Sequence, residues 1–131
     1  MSALGTLSFE NNFVYRAITS ANAETLNAGL GISAKNPEGS WNIEQHLIHG
    51  SNPRSFLNDP WIATTPNINV AKASDNGNGI IKINLSRMLS TSAQKGWLSL
   101  PRSSAGYHYS IWQQEVSIFQ HVPQNAITII K

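Results

Sequence analysis

Residues 109–119, "YSIWQQEVSIF", read as a buried β-strand, yet Glu115 lies near their middle. A carboxylate taken out of water has to be paired or put to use. Side chains alternate across a strand, so Gln113, Glu115, Ser117 and Phe119 share one face, and Trp112, Gln114, Val116 and Ile118 the other. Gln113 and Glu115 therefore project together, into water or into a cleft. Arg16 in "FVYRAI" (13–18) raises the matching question, because Val14 and Ile18 flank it on its own face. A guanidinium cannot shed its charge and needs an anion. That anion is either Glu115, as a structural ion pair, or a ligand phosphate gripped in a bidentate fork. His46 and His49 stand three apart, a chelating spacing on a helix, but no third ligand accompanies them. The chain also has no cysteine, and no metal is expected.

These residues have to be carried by regular elements. Residues 13–18 predict a strand. "SANAETLNAGLG" predicts a short helix with Asn22 as N-cap and a stop at Gly29 or Gly31. Residues 40–51, "SWNIEQHLIHGS", predict a second helix capped by Ser40, with Trp41, Ile43, Leu47 and Ile48 in its apolar stripe. "WIATT" (61–65) predicts a strand stopped by Pro66, and "NINVAKAS" one or two helical turns. "IIKINLS" (80–86) predicts a strand with Ile81, Ile83 and Leu85 on one side, and "GWLSL" a weak strand. "IWQQEVSIF" and "AITII" are the last two strands, separated by the turn "QHVPQN". Strands outnumber helices, the helices gather in the first half, and no βαβ alternation appears. The expected class is α+β with a largely antiparallel or mixed sheet.

Composition narrows the function. A chain of 131 residues suits one domain, with residues 1–12 read as a flexible lead-in. Charged residues are 12% of the chain, against about a quarter in typical domains. The formal charge is +2 and the nine basic residues are scattered singly, which argues against a phosphate-backbone binder. No apolar run is long enough for a membrane helix, and "MSALGTLSFENN" lacks the pattern of a secretory signal.

Taken in order, "FVYRAI", "HLIHGS" leading to "WIATT", and "WQQEVSIFQHVPQNAI" resemble the mono-ADP-ribosyltransferase toxins of the Arg–Ser–Glu type, the pertussis-toxin-like group. That family shows an aromatic-Arg strand, a His-Leu-x-x-Gly helix end and a hydrophobic Ser-Thr-Ser strand. A Gln-x-Glu strand and an Ile-Pro-x-x-x-Ile segment follow. Here Gln113-x-Glu115 precedes Val122, Pro123 and Ile127 at the expected offsets. The likeness runs from residue 13 to about residue 130, nearly the whole chain.

The resemblance implies a split mixed β-sheet gripping NAD, which is substrate rather than resident cofactor, and transfer of ADP-ribose to an acceptor. It matches Arg16 to the arginine that holds the dinucleotide, with Tyr15 as the aromatic before it. Glu115 matches the catalytic glutamate, Gln113 the residue that addresses the acceptor, and His46 the helix histidine, which would accept the acceptor's proton or fix a ribose. Thr64 and Thr65 match the second and third positions of Ser-Thr-Ser. Such chemistry resembles glycoside cleavage, with an oxocarbenium-like transition state that a fixed carboxylate stabilises.

The family further implies a protein acceptor more than a nucleic acid, and delivery into a target cell's cytoplasm. It also implies a delivery or immunity protein as partner. Two departures stand out. Ala63 occupies the position where the family places a serine that bonds the glutamate, so that Thr64 or another hydroxyl has to compensate or the activity is weakened or lost. "RAITSA" also lacks the acid and second arginine that often follow the first. NAD glycohydrolysis and silent NAD binding are the alternatives.

Overall fold

The computed structural model describes residues 12–52, 54–88 and 92–130. Strand β1 (Phe13–Ala17) pairs with β4 (Ile80–Asn84), which pairs in turn with β8 (Ile127–Ile129). A second sheet has β3 (Trp61–Thr64) beside β6 (Val116–Phe119), and β6 beside β5 (Ala93–Lys95). A third pairs β2 (Ile32–Ser33) with β7 (His121–Val122). The class is α+β. Every pairing between these strands is antiparallel, so no mixed sheet is present among the described residues.

Register explains why these strands bury. Val14 faces Ile83 and Arg16 faces Ile81, so the β1 face that carries Val14 and Ile18 meets the isoleucines of β4. Ile62 faces Ile118, and Ile32 faces Val122. Together these side chains form one apolar cluster, and β-branched residues fill such pleated surfaces well. An isolated β-bridge joins the two larger sheets at the Tyr15–Thr65 pair. Tyr15 N–H donates to Thr65 O at 2.7 Å, and Thr65 N–H to Tyr15 O at 3.0 Å. Arg16 is the next residue beyond that bridge.

The helices are α1 (Ser20–Asn27), α2 (Ile43–His49), α3 (Ile68–Ala73), α4 (Gly96–Ser99) and α5 (Ala105–Gln113). Three of these lie in the second half of the chain, so helices are not confined to the first. The N-cap of α1 is Thr19 and not Asn22: Thr19 Oγ1 accepts from Asn22 N–H at 3.1 Å, while Asn22 Oδ1 reaches back to Thr19 N–H. The N-cap of α2 is Asn42 and not Ser40, in a capping box with Gln45. "GWLSL" forms α4 instead of a strand. The strand predicted over 80–86 ends at Asn84, where Leu85–Arg87 tightens into a 3₁₀ turn, and the predicted turn "QHVPQN" contains β7. The expected flexible lead-in, apart from Asn12, lies outside the described residues.

Residues 111–119 do not form the one strand that their sequence predicts. Residues through Gln113 belong to α5, and only the stretch after Gln114 is extended. Ser104 caps α5 through Tyr107 N–H at 3.0 Å. Gln114 stops it in the left-handed conformation, φ 50 and ψ 45. Its N–H bonds Ile111 O at 3.1 Å, and Glu115 N–H bonds Ser110 O at 2.9 Å, the two bonds of a Schellman motif. Trp112 is thus 72% exposed on the helix and is not on a core face. Gly106 lets α5 lie close on α2, since a Cβ there would come within 2.9 Å of Glu44 Cγ. That approach brings the end of α5, and with it Glu115, beside α2.

A second glycine gives a stability prediction. Gly31 has φ +72, and a Cβ there would sit 2.1 Å from Val122 O, where β2 pairs with β7. Gly31→Ala combines a left-handed penalty with a backbone clash and is expected to lower the melting midpoint by roughly 10 °C. Thermal unfolding followed by circular dichroism checks this, and an unchanged midpoint would contradict the close approach.

Candidate active site

Glu115 emerges from the Schellman turn with its side chain almost wholly buried. Its Oε2 meets His46 Nε2 at 2.5 Å and accepts from Ser117 Oγ at 2.8 Å. His46 projects from α2, and its Nδ1 faces Asp59 Oδ2 at 2.7 Å. Asp59, just before β3, anchors its other oxygen on Trp61 N–H at 3.0 Å. A buried chain therefore runs Asp59–His46–Glu115–Ser117. Burial alone would lower the pKa of His46. The hydrogen bonds to Asp59 and Glu115, and the charges of both, outweigh burial and raise it to about 9. At neutral pH the ring is an imidazolium donating from both nitrogens. Both ring nitrogens of His46 are occupied, Nδ1 by Asp59 and Nε2 by Glu115.

Arg16 is held differently. Nε donates to Asn22 Oδ1 at 3.0 Å and Nη1 to Ala63 O at 2.9 Å. Ion pairs form at His46–Asp59 and His46–Glu115, and none joins Arg16 to Glu115. Burial pushes its pKa below the ordinary 12.5, and the nearby charge of Glu115 opposes that. Both contact partners of Arg16 are neutral carbonyl oxygens, and a guanidinium has five N–H donors. Its charge and remaining donors are open to an anionic ligand.

Two cavities meet at these residues. One of about 700 Å³ is lined by Arg16, Asn22, Lys35, His46, Gln113 and Glu115, among others. Its size suits a small-molecule site. The other, about 480 Å³, takes Tyr15, Thr64 and Thr65 into its wall. Arg16, Thr19, Ala63, Gln113 and Glu115 line both. Gln113 has lost its same-strand relation to Glu115 but opens onto the same space from the end of α5.

The threonines do not replace a serine at 63. Thr64 Oγ1 donates to Val116 O at 2.6 Å, and Thr65 Oγ1 accepts from Asn67 N–H at 3.1 Å. The hydroxyl on Glu115 comes from Ser117, the cross-strand partner of Ala63. Asp59 and Ser117 are thus site residues to which sequence reasoning assigned no role. A signal existed for each: Asp59 is one of only seven acids in the chain, and Ser117 shares the face of Glu115.

Among the described residues, no group of three or more His, Cys, Asp or Glu is arranged to hold a metal ion, and no helix is long and apolar enough to cross a membrane. No protein-family model and no curated protein matches the chain. A solved structure named EcPltA is similar in fold, with 18% identity and a TM-score of 0.55, over 88% of this chain and 72% of that one. At that identity the likeness concerns fold alone.

Proposed function

We propose that this chain is an NAD-dependent mono-ADP-ribosyltransferase that modifies a macromolecular acceptor, a protein before a nucleic acid. The observation that carries this reading is the convergence of Arg16 and Glu115 on the wall shared by two cavities. On this reading the sheets bridged at Tyr15–Thr65 are the split core of that family's fold. Arg16 takes the pyrophosphate and fixes the dinucleotide's course through the site. Glu115 accepts from a ribose hydroxyl and faces the charge that develops as the ribose–nicotinamide bond breaks. The bonding electrons leave with nicotinamide, which becomes neutral, the acceptor's nucleophile takes the vacated carbon, and the proton that the nucleophile loses passes to solvent. Gln113, at the mouth of both cavities, meets that acceptor. Action in a target cell after delivery, with a delivery or immunity protein as partner, belongs to the same proposal.

The test uses NAD labelled in its adenylate half, incubated with the protein and a cell lysate. Label in a macromolecule together with released nicotinamide is expected. Release without labelling selects the glycohydrolase alternative, and binding without release selects a silent domain. Absence of both binding and release overturns the reading. A separate prediction concerns affinity: Arg16→Met removes a charge-assisted contact and is expected to raise the NAD dissociation constant about 10- to 100-fold. Calorimetric titration measures this, and an unchanged constant would place the dinucleotide elsewhere.

A further inference from the structure

We infer that Ser117 and Asp59 are positioning residues that commit Oε2 of Glu115 to the protein and leave Oε1 alone to face the ligand. The chemistry of this step rests on the NAD reading; the geometry does not. Oε2 is engaged by two groups from different elements, His46 of α2 and Ser117 of β6. Oε1 has no hydrogen-bond partner among the described residues. No buried side-chain oxygen among them is left unpartnered, so Oε1 reaches the surface of the cavities that Glu115 lines.

Such an arrangement needs enforcement. A free glutamate side chain has several rotamers and can present either oxygen, so ordering it costs conformational entropy. Here the His46 ring is oriented by Asp59 at Nδ1, and Asp59 is itself pinned by Trp61 N–H. Its Nε2–H is thereby aimed at Oε2. Ser117 supplies the second donor from two residues along the chain and is fully buried, with Glu115 as its side-chain partner. A carboxylate held by two donors on one oxygen has its plane defined, and the other oxygen is presented in one direction.

Cross-strand register offers a way to move the hydroxyl. Ala63 lies directly opposite Ser117, so the two side chains share a face, and Ala63 lines both cavities. A serine at 63 would place a hydroxyl beside the same carboxylate.

The experiment compares wild type, Ser117→Ala, Ser117→Ala with Ala63→Ser, and Asp59→Asn by nicotinamide release and by ¹⁵N NMR titration of His46. Ser117→Ala is expected to lower kcat about 10- to 100-fold with KM nearly unchanged, as loss of an orienting partner does elsewhere. The double variant should regain most of that loss. In the titration, Ser117→Ala leaves Glu115 a stronger acceptor and moves the His46 midpoint up, whereas Asp59→Asn moves it down. If Ser117→Ala does not fold, the near-isosteric Ser117→Cys serves, with the same expected loss of kcat. An unchanged kcat, or a rescue variant that melts like wild type but regains nothing, overturns the proposal. So does a His46 titration that ignores Ser117. If the wild type releases no nicotinamide, the NAD reading fails by itself, and the titration still decides whether the two donors hold Oε2.

Discussion

Glu115→Gln is expected to lower nicotinamide release by about a thousandfold while changing NAD affinity far less. The substitution keeps shape and removes one charge. A unit charge about 4 Å from a developing cation contributes about 4 kcal/mol at an effective dielectric near 20, which corresponds to roughly three orders of magnitude in rate. That interaction exists mainly in the transition state, so the loss falls on kcat. The site amplifies the effect. His46 then faces an amide where it had a carboxylate, and Arg16 loses the negative charge that opposes the effect of its burial. Steady-state assays with the purified variant decide the matter, and activity within tenfold of wild type would remove Glu115 from the chemistry.

Stability should fall as pH rises, and His46 is the cause. Its folded pKa of about 9 stands above the ordinary 6.5. The folded protein therefore holds this proton more tightly than the unfolded chain does. The resulting stabilisation is fully present below about pH 6.5 and is lost as pH climbs through about 9, with a total of roughly 3 kcal/mol. His46→Gln should abolish that slope. At pH 6.5 it should also destabilise strongly, because Asp59 and Glu115 would remain buried without their shared cation, a cost of about 3–5 kcal/mol when one partner of a buried pair is removed. Urea unfolding of both proteins at pH 6.5 and pH 10 measures the difference. A wild-type stability that stays level across this range would mean that the ring is not an imidazolium clamped by two acids.

How much of this was legible beforehand differs by element. β1, β3, β4 and β8 follow from runs of β-branched residues between turn signals, α2 from helical spacing, and α1 from its Ala/Leu content between a cap and a glycine stop. Arg16 was placed on the face of Val14 and Ile18 by alternation alone, and the register with Ile81 and Ile83 agrees. The α5–β6 junction was not legible. "IWQQ" has strand-forming aromatic and β-branched residues, and the helix stop is a left-handed glutamine where a glycine would have announced it. The N-caps were misplaced because several Ser, Thr and Asn candidates precede each helix and only backbone geometry selects one.

Local pattern, then, was enough for the α+β class and for marking Arg16 and Glu115 as charges that burial has to account for. It left open whether Arg16 pairs with Glu115 or stays open to an anion, and which hydroxyl stands in for a serine at 63. The hydroxyl on Glu115 is a near neighbour in sequence, Ser117, but the surroundings of the two charges come from contacts between residues far apart: Arg16 with Ala63, 47 residues on, and His46 with Glu115, 69 residues on. Periodicity reports which side of an element is dry. Which partner waits on that side is decided when helices and sheets pack, and no spacing rule within one element encodes it.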